Sequence, residues 1–244
     1  MKFLEKLRDF LSQSQQRIIS SERNEAIVIK RFVGGAWGIE CRDEYQSSGS
    51  YIEMMWEGAL RTIAFQRQSF KKILVLGAGG GCVIHLLQRL LRSKRMHTEI
   101  IAVDWDPMML QMGMAVYGKN FLQKKNLENL MSFVPSEKKD FYVTENVTLL
   151  CDDALHYIQD TKNFFDCIIV DIFNNTQPAQ CVYEDAFRDI LCTRLSPDGS
   201  VLLNCWRSQD GLRAVWEEKF TIEKEIKSCS NNLLYMKPRY AVDQ

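Results

Sequence analysis

The chain has 244 residues, of which 46% are hydrophobic, 11% aromatic and 25% charged. That is room for one large domain, or one domain with a small extension, and it is not the composition of a disordered chain. The 31 Lys and Arg residues balance 31 Asp and Glu, for a formal net charge of zero, which argues against a nucleic-acid binder that relies on surplus cations.

Residues 1–11 interleave charged and apolar side chains without an uninterrupted apolar stretch. They read as an amphipathic helix packed on the body, not as a secretion signal or membrane anchor. No run of about 18 apolar residues is available to span a bilayer, so no membrane role is expected. Together these features predict a cytoplasmic protein. Short strands at 26–30 and 36–40 and a long helix from 50 to 65 complete an N-terminal extension, residues 1–70.

From residue 73 the pattern changes to alternating strands and helices, and residues 71–244 read as one domain. Ile73-Leu74-Val75-Leu76 runs into Gly77-Ala78-Gly79-Gly80-Gly81 and then a helical pattern from Val83 to Leu91. A second strand, 99–104, ends in Asp104, and Pro107 opens the next helix. Residues 119–146 are rich in Lys, Glu and Asn and read as an irregular or partly helical insertion. Strands follow at 147–150, 166–171 and 200–204, with helices starting at Asp153 and around 184–195. The tail, 220–226 and 232–237, leaves no space for a helix between its two strands, so it reads as an antiparallel hairpin at one edge. The fold class is therefore α/β, a doubly wound, mostly parallel, seven-stranded sheet.

Ligands in such sheets bind beyond the carboxyl ends of the strands, where strand order reverses. Three ends carry the relevant chemistry. Gly77, Gly79 and Gly81 let backbone approach a ligand and expose N–H donors at a helix start. Asp104 can accept both hydroxyls of a ribose, or cap the next helix. Asp152, Asp153 and Ala154 follow the third strand, where a carboxylate can take the amine of adenine or again cap a helix. This G-x-G-x-G form, with acids after strands two and three, suits S-adenosylmethionine or a close relative better than NAD. Asp171, at the end of the fourth strand, can orient a cationic substrate or accept a proton from an attacking amine. Met108, Met109, Met112 and Met114 read as core. Eight cysteines lack any C-x-x-C spacing, so no metal site is expected and the thiols are expected to be free.

At this level of detail the chain resembles the spermidine synthase family of polyamine aminopropyltransferases, over roughly residues 45–206. Tyr51-Ile52-Glu53-Met54 is similar to that family's Tyr-Gln-Glu-Met, and Val103-Asp104-Trp105-Asp106-Pro107 to its Val-Glu-Ile-Asp-Pro. Asp153-Ala154 matches the step that meets adenine. Asp166-Cys167-Ile168-Ile169-Val170-Asp171 lies in register with the strand that carries the family's catalytic aspartate. The match continues through Pro178-Ala179, Val182-Tyr183, Phe187 and Leu195-Ser196-Pro197-Asp198-Gly199. There are three departures: Gly80 stands where the family carries an aspartate, Asn174 replaces the second acid of Asp-x-x-Asp, and Ile52 replaces a glutamine.

The resemblance implies a Rossmann-like methyltransferase fold, with residues 71–244 as the nucleoside-binding catalytic domain, and transfer of an aminopropyl group from decarboxylated S-adenosylmethionine to a polyamine acceptor. Asp171 would be catalytic and Tyr51, Glu53 and Asn174 would line the amine side. It implies a small-molecule amine substrate, no tightly bound cofactor and a homodimer. Gly80 removes an acid that would repel the carboxylate of ordinary S-adenosylmethionine. Methyl transfer from that donor is therefore an alternative, and a non-catalytic nucleoside-binding protein is a second.

Overall fold

The computed structural model describes residues 16–31, 37–41, 44–48, 51–66, 70–117, 140–143, 146–174, 177–206, 210–228 and 231–239. The first eleven residues and most of the 119–146 insertion, for which a helix and an irregular segment are expected, lie outside them.

The N-terminal part is an antiparallel sheet of four strands in chain order: β1 (Gln16–Ser21), β2 (Glu25–Arg31), β3 (Trp37–Cys41) and β4 (Glu44–Ser48). The sequence suggested only two of these, because β1 and β4 are polar and carry little alternation. Helix α1 (Tyr51–Gln66) follows. Its buried face, Met55, Trp56, Ala59 and Leu60, joins the same apolar core as Ile73 and Val75 of the central sheet.

The remainder of the chain supplies, in order, β5 (Lys72–Leu76), α2 (Cys82–Ser93), β6 (Glu99–Asp104), α3 (Pro107–Tyr117), β7 (Asp140–Val143), β8 (Val147–Cys151), α4 (Ala154–Asp160), β9 (Phe165–Val170), the short pair β10 (Phe173–Asn174) and β11 (Gln177–Pro178), α5 (Asp185–Arg194), β12 (Leu195–Trp206), α6 (Asp210–Glu217), β13 (Phe220–Ser228) and β14 (Asn231–Pro238). The main sheet runs β13-β14-β12-β9-β5-β6-β8-β7. Pairings from β12 through β8 are parallel, whereas β13–β14, β14–β12 and β7–β8 are antiparallel. The seven expected strands are thus present, with the tail as an antiparallel hairpin. An eighth, β7, comes from the end of the insertion and covers the β8 edge, which would otherwise offer unpaired backbone groups.

Continuous apolar runs form β5, β6 and β9 because both faces of these strands are covered: Leu74, Val75, Ile100, Ala102, Ile168 and Ile169 are fully buried. Helix α2 turns Val83, Ile84, Leu86, Leu87 and Leu91 inward and leaves Arg89 and Arg92 outside. On the other face Trp216 packs edge-on to Phe187, with ring centroids 6.4 Å apart, and against Phe220 at 5.3 Å. Its indole N–H donates to the Val182 carbonyl at 2.9 Å, which pins the segment between β11 and α5. Met109 and Met112 of α3 pack with Ile27, Ile39 and Cys41 of the N-terminal sheet. Met109 and Met112 are core, as expected, and each contributes about 1.5–3 kcal/mol by leaving water; Met108 is partly buried against them, and the Met114 side chain lies outside the described residues. The described cysteines form no disulfide.

Strand order reverses beside β5: the chain steps outward through β6 to β8 and then returns to lay β9 on the opposite side. The loops after β5 and β9 therefore meet at the switch point.

Candidate functional site

A cleft of about 1130 Å³, its open mouth included, lies over that switch point. Its walls come from the loops after β5, β6, β8 and β9, from Ala179, Gln180 and Cys181, from Trp56 of α1 and from Asn24 in the β1–β2 turn.

The glycine loop has the required backbone. Gly77, Gly79 and Gly81 all have positive φ, at 85°, 50° and 81°. A side chain at Gly77 would place its Cβ 2.1 Å from the Asp171 carbonyl oxygen, so the loops from β5 and β9 touch only because that residue has none. Gly77 and Ala78 both donate to the Val103 carbonyl at 2.9 Å. Gly79 and Gly80 line the cleft, whereas Gly81 sits behind them as the N-cap of α2. Helix α3 presses on the loop from below: a Cβ at Gly113 would lie 2.7 Å from the Gly80 carbonyl carbon.

Asp104 ends β6 and is half-buried. Its Oδ2 accepts from Gly79 N at 2.7 Å and its Oδ1 from Asp106 N at 2.9 Å. Each oxygen keeps capacity for a further donor, as two ribose hydroxyls would require. Burial pushes this carboxyl up to about 6, against the lowering effect of the backbone N–H groups. Helix capping, the competing role considered for Asp104, is performed by Asp106, which accepts from Met108 N at 2.8 Å and Met109 N at 3.2 Å.

The two acids after β8 separate. Asp153 caps α4, accepting from His156 N at 3.0 Å, and also lines the cleft beside Ala154. Asp152 does not line it. Its carboxylate accepts from Asp153 N at 2.9 Å and pairs with His156 Nδ1 at 2.8 Å, one helical turn along the outer side of α4.

Asp171 follows β9 and lies across the cleft from Asp104. Burial pushes its carboxyl up to about 6; the Asn204 amide, 2.8 Å away, lowers it, and the Asp104 charge adds to the rise. Asn174 also reaches the cleft. Tyr51 and Glu53 fall in the first turn of α1, and their side chains lie outside the described residues. Cys181 at the rim is a poor nucleophile, its thiol pushed up to about 11 by burial.

Sequence reasoning missed Asn24, Trp56, Gln180 and Asn204. The first three reach the cleft only through tertiary packing. Asn204 stands at the end of a strand that pairs with β9, and that is a signal the strand pattern could have offered. Among the described lining residues the charged side chains are Asp104, Asp153 and Asp171, with no Lys, Arg or His. The wall is acidic, although the protein as a whole is neutral. Among the described residues no cluster of His, Cys, Asp and Glu is suited to a metal ion, and no helix is long and apolar enough to cross a membrane.

The spermine/spermidine synthase domain model matches residues 50–242. A spermidine synthase from Dictyostelium discoideum is 27% identical over 200 residues, which is 82% of this chain and 57% of that protein. Polyamine aminopropyltransferase 2 of Aquifex aeolicus is 30% identical over 131 residues, 53% of this chain and 22% of that protein. The chain thus spans little more than half the length of the first relative and under a quarter of the second. The crystal structure of spermidine synthase from Thermotoga maritima superposes with a TM-score of 0.66 at 14% identity, covering 94% of this chain and 76% of that one. That likeness establishes a common fold.

Proposed function

Given that the chain belongs to the spermine/spermidine synthase family, we propose that it transfers an aminopropyl group from decarboxylated S-adenosylmethionine to a polyamine acceptor. The observation that carries this reading is the charge of the cleft: its described charged side chains are all carboxylates. Both reactants are cations, one a sulfonium with an ammonium tail and the other an amine. A concave wall of one sign raises the local concentration of the opposite one.

In this reading Gly77, Gly79 and Gly81 shape the donor loop, Asp104 holds the ribose hydroxyls, and Asp153 with Ala154 faces the base. The acceptor nitrogen attacks the methylene carbon bonded to sulfur. A C–N bond forms as the C–S bond breaks, and its electron pair returns to sulfur to give neutral methylthioadenosine. Asp171, ionised above about pH 6, orients the nitrogen and takes the proton that it sheds. Asn174 lies on the amine side, and Tyr51 and Glu53 are assigned there as well. The sulfonium is already an activated leaving group, so most of the acceleration comes from holding two reactants in line. A small-molecule amine partner, no tightly bound cofactor, a cytoplasmic location and a homodimer belong to the same proposal.

A second reading, methyl transfer from S-adenosylmethionine, is favoured by Gly80, which presents no acid to the donor's carboxylate. Against it stands the lack of any cation on the described walls to receive that carboxylate. Incubation of the protein with each donor and a diamine decides between the two. Methylthioadenosine and an elongated amine, formed only with the decarboxylated donor, are the expected products. S-adenosylhomocysteine would overturn the first reading in favour of the second. Thermal stabilisation by a nucleoside with no product from either donor would identify a non-catalytic binder.

A further inference from the structure

The cleft wall formed by Ala179, Gln180 and Cys181 belongs to the arm of chain between β9 and α5. The arm starts as the hairpin β10–β11, in which Phe173 faces Pro178 and Asn174 faces Gln177. Ala179 N closes the hairpin by donating to the Ile172 carbonyl at 3.0 Å. A single 3-10 turn, Gln180–Tyr183, completes the arm. Val182 N donates to the Ala179 carbonyl at 3.1 Å, and Glu184 N to the Cys181 carbonyl at 3.0 Å. A turn this short leaves its last carbonyls, those of Val182 and Tyr183, without partners inside the turn. Side chains supply the donors from behind. The Trp216 indole N–H of α6 reaches Val182 at 2.9 Å, and Arg188 Nη1 of α5 reaches Tyr183 at 2.8 Å.

Arg188 is 1% exposed and Trp216 fully buried, and neither borders the cleft. The guanidinium has two further partners: Nη2 bonds Asp185 Oδ1 and stands 3.6 Å from Glu218 Oε2. Its buried Nε has no partner among the described residues. Both acids are largely in water, so neither requires the cation. A buried guanidinium short of one hydrogen bond is an unfavourable way to fill space, and an apolar side chain of similar length would fill it at less cost. Packing therefore does not account for Arg188, whereas the carbonyl it holds does. The arm reaches both ends of the cleft. Asn174 at its head lies on the side assigned to the amine, and Cys181 stands near enough to Asp153 for that charge to help raise its thiol. Displacing the turn would shift the wall at both ends.

We propose that Arg188 and Trp216 are positioning residues: by holding the Tyr183 and Val182 carbonyls from outside the cleft, they set the place of the Ala179–Cys181 wall and so the alignment of the two reactants. A misplacement of about 1 Å costs on the order of a hundredfold in rate when the reaction depends on holding two partners in line. This rests on the aminopropyl-transfer reading above. It extends the working part of the molecule to α5 and α6, which touch no reactant.

The test uses the full chain, with turnover of decarboxylated S-adenosylmethionine and a diamine, and methylthioadenosine binding by calorimetry. Rates are taken per binding site, so unfolded material does not imitate a slow enzyme. R188M keeps the length of the side chain and donates nothing. Its kcat is expected to fall about tenfold to a hundredfold, with methylthioadenosine affinity within about threefold of wild type. R188K, which keeps one cationic donor, is expected to recover most of that loss. W216F loses the indole N–H while keeping an aromatic ring in the core, and its kcat is expected to fall several-fold; it carries the test if R188M does not fold. Wild-type kcat in folded R188M or W216F overturns the proposal and leaves the aminopropyl-transfer reading intact. So does a kcat loss that R188K fails to relieve, or one matched by an equal loss of nucleoside affinity. A wild-type protein that forms no elongated amine overturns both.

Discussion

Asn204 donates its side-chain amide to Asp171, with Nδ2 standing 2.8 Å from Oδ1. The contact follows from sheet register: Leu203 of β12 pairs with Val170 of β9, so the next residue on each strand emerges side by side at the mouth of the cleft. Asn204 is buried and is not part of the cleft wall. Its hydrogen bond favours the ionised form of Asp171, against the burial that disfavours it. Asn204 is thus a positioning residue. Replacing it by Ala is expected to move the acid limb of the kcat/KM profile above about pH 6 and to lower kcat, while the KM for the nucleoside donor stays within about twofold. An unmoved acid limb would leave Asn204 with a packing role only.

Substitution of Asp171 itself separates activity from stability. The D171N variant keeps the volume and an acceptor oxygen but cannot take a proton, and kcat/KM is expected to fall by about 10²–10⁴. A variant with near-wild-type turnover would remove Asp171 from the chemistry.

The same substitution has a stability consequence whose sign is fixed by the shift. The folded protein holds the Asp171 carboxyl at about 6, above the ordinary 3.8. A raised folded value means that the native state binds the proton more tightly than the unfolded chain. The resulting stabilisation is complete below about pH 4 and is lost as pH rises through 6. Asp104 behaves alike. In the absence of ligand, D171N is therefore expected to gain stability relative to wild type between pH 4 and pH 6.5, by on the order of 2 kcal/mol, and to hold that advantage at neutral pH. Denaturant melts at a series of pH values check it; a difference that does not vary with pH sinks it.

Two glycines of one loop are predicted to differ. Gly77 has φ 85° and a Cβ there would strike the Asp171 backbone, whereas a Cβ at Gly79, φ 50°, would meet nothing within 4 Å. G77A is expected to cost more than about 2 kcal/mol, and G79A only about the 1 kcal/mol of left-handed backbone. Because Gly79 faces the cleft, G79A is also expected to weaken nucleoside binding at this smaller loss of stability. Urea unfolding and calorimetry on the two variants check both expectations, and equal stability losses would contradict them.

Much of this site is legible in the sequence because each strand that builds it is a short apolar run ending abruptly in a glycine or an acid. Gly77, Asp104, Asp153 and Asp171 all sit at such endings, and a parallel sheet carries them to one side. What is not legible depends on contacts distant along the chain. Nothing in Ser21-Glu22-Arg23-Asn24 signals the hydrogen bonds that the Ser21 hydroxyl and the Asn24 amide donate to Asp106 Oδ2, each at 2.5 Å, where the N-terminal sheet packs on Met109 and Met112. The division of labour between Asp152 and Asp153 is likewise hidden. Both have the right chemistry, and only the N-cap geometry of α4 turns one toward the cleft and the other toward His156. Strand β7 and helix α6 escape notice because they are short and gain their order from neighbours already in place.

The carboxylate lining of the cleft also bears on how a turnover ends. Under aminopropyl transfer the acceptor departs carrying one more basic nitrogen than it brought, while the sulfur partner loses its charge. Acidic walls then hold the lengthened amine more firmly than the shorter one, and the spent nucleoside less firmly than the fresh one. On that reading, added salt is expected to ease departure of the lengthened amine by screening those carboxylates.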